Sequence, residues 1–111
     1  MAVSVKVLVP AQTANNAQTT VYTASGVTAI IDKFTATNYS AIAATISVNL
    51  VNPGATPSDA DLIVKTKTLQ AGECYTFPEL VGQVLQPSGF ISTLAGAASS
   101  INIRASGREV S

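Results

Sequence analysis

In Ile42-Ala43-Ala44-Thr45-Ile46-Ser47-Val48-Asn49-Leu50-Val51, Ile42, Ala44, Ile46, Val48 and Leu50 share one parity and Ala43, Thr45, Ser47 and Asn49 the other. The period is two, the alternation of a half-buried β-strand with one apolar and one polar face. The same alternation occurs on both flanks. Val3, Val5, Val7 and Val9 alternate with Ser4, Lys6 and Leu8 near one end; Ile101, Ile103 and Ala105 alternate with Asn102, Arg104 and Ser106 near the other.

The intervening runs are less regular but rich in strand formers. Gln18 to Ala24 carries Thr, Val and Tyr. Val27 to Tyr39 reads as one long strand whose phase breaks at Ile30-Ile31, which predicts a bulge or a change of face. Leu62 to Leu69 and Glu73 to Phe77 are joined by Gln70-Ala71-Gly72, which reads as a hairpin link. Phe90 to Ala95 follows the turn signal Gln86-Pro87-Ser88-Gly89. Pro10 to Ala17 and Asn52 to Ala60 read as long loops, and Pro78 to Val84 as one helical turn starting at a proline. Eight short strands separated by Gly, Pro, Asn and Ser predict an all-β, antiparallel β-sandwich or barrel. The expected core is Val5, Val7, Ile31, Phe34, Ile46, Val48, Leu50, Leu62, Val64, Tyr75, Phe77, Leu85, Ile91, Ile101 and Ile103.

Charge is scarce: 11% of 111 residues, with six cations against six anions, no histidine, and nearly half the chain Ala, Thr, Ser and Val. Free-standing domains carry about 25% charged residues, which keep monomers apart and guard strand edges. This composition predicts a surface covered by other chains. Balanced charge without a basic stripe argues against nucleic acid as a partner. Neither a secretion signal nor an apolar run of about 18 residues is visible, so a membrane partner is not expected. One cysteine, Cys74, forms no internal disulfide, which fits synthesis in a reducing cytoplasm.

Without histidine the usual general base and the commonest metal ligand are missing. The carboxylates do not cluster, and a catalytic reading would require Glu73, Glu79 and Lys65 to meet in one pocket. Asp59 and Asp61 read as a solvated turn and Cys74 as a small buried apolar residue. No catalytic residue, metal ligand or cofactor is expected. The Asn38-Tyr39-Ser40 sequon is read as chance. Arg104, Arg108 and Glu109 form the one local charged group and read as a polar rim. Tyr39, whose ring suits an interface, joins them, as do Val3 and Val5 on a strand able to pair with a neighbour's sheet.

Three segments carry a resemblance: Val21-Tyr22-Thr23-Ala24-Ser25-Gly26-Val27-Thr28-Ala29-Ile30-Ile31-Asp32, Leu69 to Gly82 (LQAGECYTFPELVG), and Ile101 to Val110 (INIRASGREV). Together they resemble small virion structural proteins of tailed bacteriophages, among them capsid decoration (cement) proteins. That resemblance covers residues 20 to 110 and implies a jelly-roll-like form of the sandwich. It implies a homo-oligomer on the capsid exterior, with the major capsid protein and itself as partners, stabilising the shell. Residues 1–111 are then one domain, with 1–17 an N-terminal strand or arm and loop contacting a neighbour. The alternative is a receptor- or glycan-binding β-module of a phage fibre or tail; its expected loops, Pro10–Ala17, Asn52–Ala60 and Gly96–Ser100, contain no aromatic residue.

Overall fold

Alternation becomes strand pairing in the computed structural model, which describes residues 2–111. The strands are β1 (Val3–Thr13), β2 (Thr19–Thr23), β3 (Thr28–Asn38), β4 (Ala44–Val51), β5 (Leu62–Leu69), β6 (Cys74–Thr76), β7 (Val84–Leu85), β8 (Phe90–Ala95) and β9 (Ile101–Val110), with a 3-10 turn at Asp59–Asp61. Nine strands thus replace the expected eight. The addition, β7, falls where one helical turn was expected; tight turns and this two-residue pairing to β3 occupy that stretch instead.

Every pairing is antiparallel. One sheet runs β1-β9-β3-β6, with β7 also on β3, and the other runs β2-β8-β4-β5. The pairs are nested: β4 with β5, β3 with β6, β2 with β8 and β1 with β9. A long antiparallel ribbon is therefore folded over on itself and closed by β3–β9 and β4–β8, which is the jelly-roll form of the sandwich. Gln70-Ala71-Gly72 is not a hairpin link, since β5 and β6 lie in different sheets; it carries the chain from one layer to the other.

The core lies between the sheets. Ile31, Phe34, Ile46, Val48, Val64, Phe77, Leu85, Ile91, Ile101 and Ile103 are buried as expected, with Phe77 edge-on to Phe34 at 5.4 Å. Leu50, Leu62 and Tyr75 are only half-buried. Val5 and Val7 are not core at all: they are 84% and 46% exposed. The alternation in β1 is real, but its phase reverses at a bulge. Val7 pairs with Ser106 and Val9 with Ala105, so Leu8 is extra and both Leu8 and Val9 turn inward. Pro10 to Thr13 continue β1, so the expected first loop is shorter than read. Ile42 lies outside β4 and is exposed, and Cys74 is exposed rather than buried.

Asn38 ties the layers together at one end. It is fully buried at the end of β3, and its amide nitrogen donates to the Ile42 and Leu69 carbonyls, both at 2.9 Å. Its side-chain oxygen accepts from the Ser40 N–H at 2.9 Å and the Ser40 hydroxyl at 2.7 Å. The sequon asparagine is therefore enclosed and hydrogen-bonded in the fold. Asn38→Ala leaves those backbone groups without their partner, and we expect a loss of about 3 kcal/mol in urea unfolding. Exposed Asn16→Ala should change stability by less than about 0.5 kcal/mol.

Candidate functional site

Directly paired residues on neighbouring antiparallel strands share a face. Val5 pairs with Arg108, Arg108 with Ile30, and Ile30 with Val84, so one row crosses β1, β9, β3 and β7. Val3 pairs with Val110, and Val110 with Thr28, forming the adjoining row. These residues lie on the outer face of the β1-β9-β3-β6 sheet. Val3 is 59% exposed and Val84 50% exposed, and Ile30 and Val110 are half-buried. The bulge between Ile31 and Lys33 pushes Asp32 outward beside Arg108. The guanidinium donates from Nε to Asp32 Oδ2 at 3.1 Å and from Nη2 to Oδ1 at 2.9 Å, a two-pronged pair within an otherwise apolar strip.

Of the residues singled out in the sequence, Val3, Val5 and Arg108 thus come together. Arg104 is on the same face, four residues along β9, opposite Thr35. It borders a shallow depression of about 290 Å³ with Ala11, Thr37 and Asn102, and has no carboxylate partner among the described residues. Tyr39 stands at the far end of the sandwich, 52% exposed, its hydroxyl 3.2 Å from the Thr13 hydroxyl. Ile30, Val84 and Asp32 were missed. Ile30 was visible as half of the Ile30-Ile31 phase break, whereas Val84 reaches the row only through the unexpected β7.

Glu109 faces the other way. It pairs with Ser4 and Ala29, and its side chain is 15% exposed between the layers. Tyr22 of the opposite sheet donates its hydroxyl to Glu109 Oε2 at 2.5 Å, and Lys6 Nζ lies 3.0 Å from Oε1. First the Tyr22 hydrogen bond and then the Lys6 ammonium hold the Glu109 carboxyl below its ordinary value. Burial and then the same hydrogen bond push the Tyr22 phenol upward.

Elsewhere most polar groups find partners, the buried Thr93 hydroxyl being an exception among the described residues. Asn49 donates to the Ser58 carbonyl at 2.9 Å and to Asp61 Oδ1 at 2.6 Å, under a cleft of about 300 Å³ on the outer face of the second sheet. Asp61 and Ser58 cap the 3-10 turn reciprocally, while Asp59 is exposed 3.9 Å from Lys65. Glu73 caps the N–H of Gln70 at 2.7 Å, and Glu79 accepts from the Tyr75 hydroxyl at 3.2 Å. Glu73 and Glu79 are therefore tied into local turns, and Lys65 borders the second-sheet cleft. Among the described residues no three metal-ligating side chains cluster, and no helix is long and apolar enough to cross a membrane.

No family model matches the chain, and no curated protein matches it. Among solved structures it is similar to a chain in the structure of infectious bursal disease virus, Gx strain, with a TM-score of 0.51 and 12% identity. The match covers 97% of this chain and 32% of that one, so this chain spans about a third of the length of the chain it matches. At that identity the likeness is one of fold.

The Glu109 bridge makes stability pH-dependent on the acid side. A carboxyl held low by folding contributes fully above its unfolded value, near 4.5, and loses that contribution as pH falls towards the folded value. Glu109→Gln should cost about 1.5–3 kcal/mol at pH 7 and flatten the fall in stability below pH 4.5, as read by thermal unfolding at a series of pH values.

Proposed function

We propose that this protein is a structural virion component that binds the outer surface of a capsid as a homo-oligomer and stabilises the assembled shell. The observation that carries the reading is the outer face of the first sheet. There Val3, Val5, Ile30, Val84 and Val110 form an apolar strip crossed by Arg108 with its partner Asp32, and Lys33 stands in the next row opposite Ser106. A lone protein in water gains nothing by displaying that strip; one packed against a shell buries it. The fold likeness to a chain from a virus structure supports the same reading.

Stabilisation would follow from linkage: a subunit that binds only the assembled lattice shifts the equilibrium towards that lattice by mass action. Arg104 and Arg108 would supply polar contacts within and beside the strip, with Tyr39 at the far end. Glu109 would serve from beneath by anchoring β1 through Lys6. The partners on this reading are the major capsid protein and further copies of the chain, and the location is the exterior of a phage-like particle.

Particles purified from the source virus, with and without this protein, test the reading. The chain should co-sediment with particles that lack it and raise the temperature at which they open. Val84→Glu places a charge on the strip at an exposed position, so the fold should hold within about 0.5 kcal/mol while particle occupancy drops at least tenfold. Equal binding by Val84→Glu, or no binding by the native chain, sinks the proposal.

A further inference from the structure

We infer that β1 pairs edge to edge with β1 of a second copy, antiparallel and centred on Val5, joining the two first sheets into one continuous sheet. The inference rests on the homo-oligomeric reading above and specifies its contact.

The phase of the β1–β9 ladder carries the argument. Ala2 and Ser111 exchange two backbone hydrogen bonds, Ala2 N–H to Ser111 O at 3.2 Å and Ser111 N–H to Ala2 O at 2.9 Å. Hydrogen-bonded and non-hydrogen-bonded pairs alternate along an antiparallel ladder. Ser4–Glu109 and Lys6–Gly107 are therefore bonded pairs, while Val3–Val110, Val5–Arg108 and Val7–Ser106 are not. The N–H and C=O groups of Val3, Val5 and Val7 point away from β9, towards the open edge of the sheet. Such a row of unpaired groups is a template for another strand.

Natural edges are guarded by a free lysine, a proline or a bulge. The first five residues of β1, Val3 to Val7, have none of these in service. Pro10 and the bulge at Leu8 come later, and Lys6 is held by Glu109 at 3.0 Å. The exposed valines at 3, 5 and 7 continue the apolar strip to this edge.

A second copy fits the edge in one register. Centred on Val5, Val5 faces its own counterpart and Val3 faces Val7, so all the outward groups pair in about six hydrogen bonds. Lys6 then faces the partner's Ser4. Centred on Lys6, two lysines meet directly at the close non-bonded spacing, which is repulsive, and only about four hydrogen bonds form. The formal net charge of +0 leaves no long-range repulsion between copies. Across the join the row reads Val84, Ile30, Arg108, Val5 and then the same residues in reverse.

Cysteine cross-linking in a Cys74→Ser background tests the register. Facing residues of a bonded antiparallel pair lie about 5.5 Å apart at Cα, within disulfide reach, whereas residue 6 of each copy would be more than about 7 Å from its counterpart. With oxidised glutathione, Val5→Cys should form a cross-linked dimer and Lys6→Cys should not. Val5→Pro removes an N–H that β9 does not use, so at dilution, where both are monomers, it should match the native unfolding midpoint, and at higher concentration it should sediment as a monomer, where the native chain forms a concentration-dependent dimer. Cross-linking at both positions or at neither overturns the inference, as does a Val5→Cys cross-link to a different virion protein. Failure of particle binding with the residue-5 cross-link intact would overturn the capsid reading alone. Particle binding by native chain that forms no such cross-link would overturn the edge pairing alone.

Discussion

The ladder between β3 and β9 is the constraint from which the rest of the molecule takes its place. Both strands are interior to their sheet, and β1, β6 and β7 are positioned by pairing with them. Midway, β3 bulges after Ile31, and β9 passes that point with Gly107. A Cβ on Gly107 would fall on the Ile30 carbonyl oxygen and lie 2.8 Å from a Leu8 methyl, so only glycine allows three strands to converge there. The bulge that makes room necessary also throws Asp32 outward to meet Arg108. The apolar strip, its one ion pair and the orientation of β1 are all consequences of that crossing.

The composition follows from the same geometry. Ala14, Ala24, Ala29, Ala36, Ala44, Ala95 and Ala105 are all buried, so part of the alanine serves the core while the rest lies in exposed turns and strand ends. Small inward residues let two sheets close without large gaps, and the few large ones, Phe34 and Phe77 above all, fill the middle. The sparse charges are largely committed: Lys6 to Glu109, Arg108 to Asp32, Lys65 to Asp59. Among the described residues, Lys33, Lys67 and Arg104 are cations without such a partner, and Lys67 lies over the Tyr75 ring instead.

Period-two alternation made the sandwich legible, because strands buried on one face write their faces into the chain. Ile46, Val48, Ile101 and Ile103 were placed correctly for that reason. What alternation does not encode is which face looks inward once a bulge intervenes. Val5 and Val7 were therefore assigned to the core, although one extra residue at Leu8 puts them on the outside. Layer changes are equally silent: Gln70-Ala71-Gly72 looks like a hairpin link and acts as a bridge between sheets. Val5, though counted in the core, was also read with Val3 on a strand able to pair with a neighbour, and Arg108 within the local charged group, whereas Glu109 was misread because its partner Tyr22 is far away in sequence and in the other sheet.

The nested order of pairing also sets a timetable. The innermost pair, β4 and β5, closes over a short connection, but β1 must find β9 roughly 90 residues later in the chain. At a synthesis rate of about 5–20 residues per second, β1 is made roughly 5 to 20 s before its partner. Throughout that interval its valines and both of its backbone edges face water. A strand left open for so long is vulnerable to the wrong neighbour, and other nascent copies of the same chain carry the same open edge. The edge proposed for pairing between copies is thus also the one most exposed to premature association during synthesis.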